Sequence, residues 1–184
     1  MIWYSSPCNP SGSVYSKEEL RALADVLQKY PNIYVVSDEI YEHINFSGTF
    51  CSIGSIPGML ERTITVNGVA KAFAMTGWRI GYLLSPDDEA MAQLTKMQYY
   101  VTACSNDAMQ YAVLEALEHA SDYPAKMRDE FQARRDLICE RLNAMEGVSC
   151  HIPTGAFYVF PKFDIPGVTS EELAMALLEG GVLC

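Results

Sequence analysis

Two short apolar runs, each ending abruptly at a polar pair, do most to limit the folds open to this chain. Ile33-Tyr34-Val35-Val36 ends in Ser37-Asp38, and Ile64-Thr65-Val66 ends in Asn67-Gly68. A strand with one wet face alternates apolar and polar residues, whereas a strand covered on both faces does not, so these runs belong in a sheet clothed by helices. A helix signal lies upstream of them. Ser16 and Glu19 have capping-box spacing, and Leu20, Leu23, Ala24 and Leu27 follow at helical intervals until Pro31, which predicts a helix from about 17 to 30. Met1-Ile2-Trp3-Tyr4 reads as another strand, and it opens directly into the turn-rich loop Ser5 to Gly12. The order strand, helix, strand predicts the α/β class, in which ligands gather at the carboxyl ends of the strands.

The remaining elements are placed by the same signals. Asn45 to Glu61 has Gly and Pro but no convincing period, and a loop of that length in a compact domain is expected to be functional or an interface element. Ile80 to Leu84 predicts a further strand, and Ser85-Pro86-Asp87-Asp88-Glu89 an acidic helix start before Met91, Leu94 and Met97. Another helix is expected after Ser105, with Met109, Ala112, Val113, Ala116 and Leu117 on its apolar face. Met127, Phe131, Ile138, Leu142 and Met145 mark a long amphipathic connector between Pro124 and Met145. Beyond Gly147 the chain reads as short strands, notably Ala156 to Phe160, and a helix after Ser170 closed by Gly180-Gly181. Val182-Leu183-Cys184 resembles the start of one more strand. The domains expected are 1–122, a connecting helix over 123–146, and a second unit over 147–184.

Composition narrows the function. Against 23 Asp and Glu stand 13 Lys and Arg, a formal charge of −10, which opposes nucleic-acid binding through a basic footprint. No stretch approaches the roughly 18 apolar residues of a membrane span, and the first residues lack a secretory pattern. The six cysteines show no C-x-x-C and the three histidines no ligand spacing, so no metal centre is expected, and the cysteines read as reduced thiols of a cytoplasmic protein.

The tract Thr63 to Pro86 is the most informative for chemistry. Its only ionisable charges are Lys71 and Arg79, set among Val, Ala, Phe, Met, Trp and Ile. Solvated loop charges, or pairing with distant carboxylates, would account for both. The alternative is a site for an anion. A desolvated lysine is a nucleophile toward carbonyls, and arginine offers a planar fork of donors to phosphate oxygens. An aldehyde and a phosphate on one small molecule suggest pyridoxal phosphate.

Asn67-Gly68-Val69-Ala70-Lys71-Ala72-Phe73-Ala74-Met75-Thr76-Gly77-Trp78-Arg79-Ile80-Gly81-Tyr82 resembles the Schiff-base lysine segment of the class I and II aminotransferases, which are fold-type I pyridoxal-phosphate enzymes. Upstream, Asn9-Pro10-Ser11-Gly12 is similar to that family's Asn-Pro-Thr-Gly motif, and Asp38-Glu39-Ile40-Tyr41 to its Asp-x-x-Tyr motif. The three occur in family order. The resemblance implies an α/β fold: part of the large pyridoxal-phosphate domain, a mostly parallel sheet flanked by helices, followed by the start of an α+β small domain.

The same resemblance implies roles. Lys71 would bind the cofactor aldehyde and carry a proton between the substrate α-carbon and the cofactor. Asp38 would pair with the pyridine nitrogen, keeping it protonated so that the ring withdraws electrons. Tyr41 and Asn9 would hydrogen-bond the phenolic oxygen, Arg79 would hold the phosphate, and Gly77 and Gly81 would permit a tight backbone path around it. Ala70 and Gly68 stand where many members have a phosphate-binding hydroxyl, which places more of that task on Arg79.

The resemblance spans nearly the whole chain, about half of a typical member. The family's phosphate-cradling helix start, its ring-stacking aromatic residue and its carboxylate-binding arginine are therefore expected outside this sequence. The activity implied is transfer of an α-amino group between an amino acid, with an aspartate-like preference, and a 2-oxo acid such as 2-oxoglutarate, by a homodimer. A lyase or cyclopropane-carboxylate synthase of the same fold type, or a noncatalytic truncated paralogue, are the alternatives.

Overall fold

The computed structural model describes residues 1–183. Its centre is a four-stranded sheet in the order β1 (Ile2–Ser5), β2 (Val35–Asp38), β3 (Thr63–Gly68), β4 (Gly81–Leu84). The first three strands are parallel, in register Ile2 to Val35 to Thr63, and β4 returns antiparallel to β3. This is the mostly parallel α/β sheet that the sequence predicts, with β2 two residues later than the apolar run suggested. Val35 and Ser37 are completely buried and Val36 nearly so, which is why β2 does not alternate.

Helix α1 (Lys17–Leu27) carries both bonds of the predicted capping box, between Ser16 and Glu19. It stops at Leu27 rather than near 30. Lys29 and Tyr30 donate back three residues, to Val26 and Leu27, and the Arg62 guanidinium takes the carbonyls of Leu27, Tyr30 and Pro31 at 2.8 to 3.1 Å. A distant side chain thus satisfies the helix end, which no local pattern announces.

The loop from Asn45 to Glu61 closes the main core. Two single turns of 3-10 helix, Ile53–Ser55 and Leu60–Arg62, place Ile53, Ile56 and Met59 against Leu20, Ala24 and Leu27 of α1 and Val35 of β2. It thus packs three buried apolar side chains onto the α1 side of the sheet.

One close approach positions the chain that leaves β3. Gly68 pairs with Gly81 across the antiparallel ladder, and a Cβ on Gly68 would stand 2.9 Å from the Gly81 Cα and 3.0 Å from the Ile80 carbonyl oxygen. Both neighbours are backbone and cannot move aside cheaply. Gly68→Ala is expected to destabilise the protein by about 1–3 kcal/mol. Gly77→Ala, where a Cβ meets nothing within 4 Å, is expected to stay within about 0.5 kcal/mol of the parent. Paired denaturant titrations check this.

Helix α2 (Val69–Ala72) follows β3 immediately, then α3 (Asp88–Thr102), α4 (Asp107–His119) and the long α5 (Tyr123–Asn143). The Asp87 and Asn106 side chains cap α3 and α4. Of the apolar stripe read on α5, Met127 and Phe131 pack on a second core of Tyr41, Ile44 and Ala156, whereas Ile138 and Met145 are exposed. No helix among the described residues is long and apolar enough to cross a membrane.

After α5 the chain forms a two-stranded antiparallel sheet, β5 (Val148–Ser149) with β6 (Lys162–Phe163), and then α6 (Ser170–Glu179). The strand expected over Ala156 to Phe160 does not form. Gly155 bridges Asn45, and Ala156 adopts a left-handed φ of 57°, which breaks the extended path; the rings of Phe157 and Tyr158 both meet Tyr41. Val182 and Leu183 do not begin a strand either. Gly181 and Val182 donate to Leu178 and Leu177 and close α6 in a Schellman motif, while Cys184 lies outside the described residues.

Candidate active site

The site lies where the three parallel strands end. The loop after β1 brings Asn9, the end of β2 brings Asp38 and the turn through Tyr41, and the end of β3 leads through Gly68 into Lys71 on α2. Backbone bonds fix these ends to one another. Ser6 donates to the Asp38 carbonyl at 3.1 Å and Glu39 to that of Val66 at 2.9 Å. Gly12 has a φ of 67°, and its carbonyl accepts from Thr154 and Gly155 at 2.9 and 2.8 Å. A Cβ on Gly12 would stand 2.3 Å from that of Pro153, so only glycine lets the two segments meet.

A recess of about 420 Å³ opens at this end, lined by Asp38, Asn67, Lys71, Thr76 and Arg79 among others. Three of the five residues singled out from sequence thus line one cavity, to which they bring a carboxyl, an amine and a guanidinium group. Its size falls within the roughly 300–1,000 Å³ of small-molecule sites. The Asp38 Oδ1 accepts from the Ile40 backbone at 3.2 Å, an Asx turn that fixes the carboxylate at the strand end. Arg79 is exposed, adopts a left-handed φ of 58°, and its Nη1 donates to the Thr76 carbonyl at 2.9 Å.

Tyr41 and Asn9 stand beside the recess and do not line it. The Lys71 Nζ lies 5.6 Å from the centre of the Tyr41 ring and 5.3 Å from that of Phe157, between two aromatic faces. Burial first, and then a bond with Tyr158, hold the Tyr41 hydroxyl far above the usual tyrosine range, with a contact from Asn9 working in the opposite direction. The φ of Gly77 is not left-handed and a Cβ there would meet nothing within 4 Å, whereas Arg79 is left-handed.

Several contributors carry no local sequence signal. Phe157 and Tyr158, which follow the left-handed Ala156, meet Lys71 and Tyr41. Asn67 is buried; its amide donates to Glu42 at 2.8 Å while its own oxygen accepts from Gly68 at 2.7 Å, joining the end of β3 to the turn after β2. Glu42 is held below the usual carboxylate range by its bond to His43, whose imidazole is raised in return.

Behind the site sits Glu39, 4 % exposed, accepting from Ser37 at 2.8 Å and Ser52 at 2.6 Å. Burial is the main reason its carboxyl lies above the ordinary 4.5. The native state therefore holds this proton more tightly than the unfolded chain. Its stabilising contribution is complete below pH 4.5 and is lost as pH rises through the native value. Glu39→Gln, measured by urea unfolding across that interval, is expected to show a flatter decline of stability with pH than the parent.

The model of the family "Aminotransferase class I and II" matches residues 1–184. Among curated relatives, the aspartate/prephenate aminotransferase of Cereibacter sphaeroides is 43% identical over 190 residues, which cover 96% of this chain and 47% of the relative. The aspartate aminotransferase of Pyrococcus abyssi is 42% identical over 177 residues, 95% of this chain and 45% of the relative. The crystal structure of the aspartate aminotransferase from Rhizobium meliloti superposes with a TM-score of 0.89 at 38% identity, covering 96% of this chain and 47% of that one. The chain thus spans about half the length of the relatives it matches.

Proposed function

Since the chain belongs to the class I and II aminotransferases, we propose that it supplies the lysine side of a pyridoxal-phosphate site in an enzyme that moves an α-amino group between an amino acid and a 2-oxo acid. The observation that carries this reading is the meeting of Asp38, Lys71 and Arg79 around one recess at the carboxyl ends of parallel strands. The donor set fits the cofactor: a carboxylate for a ring nitrogen, an amine for an aldehyde and a guanidinium for a phosphate. When bound, the cofactor supplies an electron-withdrawing ring that takes up the electron pair left when the substrate α-carbon loses its proton.

The residues of this chain divide the work. With the cofactor bound, Lys71 Nζ would hold its aldehyde and, once displaced by substrate, would serve as the base and acid for the α-proton. Asp38 would keep a proton on the ring nitrogen, and the bond from the Ile40 backbone holds its carboxylate at the strand end. Tyr41, with Asn9 beside its hydroxyl, donates to the phenolic oxygen. Arg79 would bind the phosphate, and Thr76, which lines the same recess, is the hydroxyl residue available there given Ala70 and Gly68.

The relatives' names support an aspartate-type amino donor, with aromatic substrates as the nearest variation. They do not favour a lyase or synthase. We further assign the working form to a cytoplasmic homodimer, with residues 147–184 opening a separate small domain. The test is borohydride reduction after adding pyridoxal phosphate to the full polypeptide, followed by peptide mapping. The phosphopyridoxyl group is expected on the peptide that contains Lys71. Label spread evenly over exposed lysines such as Lys17, Lys29 and Lys96 would overturn the reading.

A further inference from the structure

The hydroxyl oxygens of Tyr41 and Tyr158 lie 2.6 Å apart, although 117 positions separate them in sequence. Their rings meet edge to face at 5.7 Å and 80°, and Phe157 packs on both. Tyr41 is only 4 % exposed. The groups facing it come from four places: Asp38 at the end of β2, Lys71 on α2, Asn9 in the loop after β1, and Tyr158 beyond β5.

A phenol has one proton to give and can accept from its neighbours. The distance between the two oxygens allows either to be the donor. If Tyr41 gives its proton to Tyr158, it has none for a ligand in the recess. If Tyr158 gives, Tyr41 is free to donate elsewhere and is the better donor for it, because hydrogen bonds in a chain polarise one another.

We propose that Tyr158 is a positioning residue that acts through Tyr41: its hydroxyl donates to the Tyr41 oxygen, so that the single Tyr41 proton is directed to a ligand oxygen lying between Tyr41 and Lys71. The inference rests on the pyridoxal-phosphate reading, in which that ligand oxygen is the ionised phenolic one. Tyr158 belongs to the segment that follows α5, so its docking prepares a donor carried by the turn after β2.

The test is an absorbance titration of the protein loaded with pyridoxal phosphate, following the protonation of its link to Lys71. A phenolic oxygen that receives a weaker bond releases less of its charge to Tyr41, and the link then keeps its proton to higher pH. Tyr158→Phe is expected to raise the protonation constant about 1.5- to fourfold, the size of a 10–30 % loss in one charge-assisted bond. Tyr41→Phe is expected to raise it further. In the Tyr41→Phe background, Tyr158→Phe is expected to add nothing.

A Tyr158→Phe protein that titrates with the parent, or one whose effect persists unchanged without the Tyr41 hydroxyl, overturns the assignment. A parent that forms no reducible link at Lys71 overturns the cofactor reading instead, so the two failures are distinguishable. A second measurement needs no variant stability. In the parent carrying isotope-labelled tyrosine, the Tyr158 ζ-carbon resonance is expected to move on loading as its hydroxyl turns donor, and an unmoved resonance also overturns the proposal.

Discussion

Lys71→Ala is expected to remove transamination from the full enzyme, with kcat/KM falling by at least about 10⁴-fold, together with the reducible link to pyridoxal phosphate. General acid–base transfer by a positioned group is worth roughly 10²–10⁴-fold by itself, and in the proposed function Lys71 would also hold the aldehyde covalently. The loss should be chemical rather than structural. Lys71 sits partly exposed between the Tyr41 and Phe157 rings with no salt bridge among the described residues, so truncation removes ring contacts and little else. Steady-state kinetics with borohydride mapping check the prediction. Covalent labelling retained at the site in Lys71→Ala would defeat the assignment.

Asp38→Asn is expected to lower the rate of the amino-transfer half-reaction on the order of 10²–10³-fold, the usual cost of removing one group that stabilises developing charge. Asparagine keeps the oxygen that accepts from Ile40, so the Asx turn survives and the fold should be indifferent. Asp38→Ala loses that bond too, and should show the same rate defect with an added cost of about 1 kcal/mol in stability. Single-turnover kinetics and urea unfolding on both variants separate the electronic effect from the structural one. An unchanged rate in Asp38→Asn would remove this carboxylate from the mechanism.

How far the sequence goes is clear from particular residues. Asp38 stands out because it ends an apolar run whose strand, β2, is buried at Val35, Val36 and Ser37, and Lys71 because it is one of two cations in a tract without acids. Arg79 was legible because its tract holds no acid. The antiparallel return of β4 was not, since an apolar run carries no direction. Phe157 and Tyr158 looked like strand residues, and one left-handed alanine, fixed by the distant bridge from Gly155 to Asn45, gives them another role. The helix end at Leu27 and the close approach at Gly68 depend in the same way on residues far along the chain.

The acceptance of two backbone bonds by the Gly12 carbonyl has a consequence for biosynthesis. The partner segment at Thr154 is translated 142 residues later, so a ribosome must release most of the described chain before the loop that carries Asn9 can be clasped. Closing so wide a ring is slow compared with winding a helix. Until then Lys71 lacks one of its two flanking rings, because Phe157 lies beyond Thr154 in the chain.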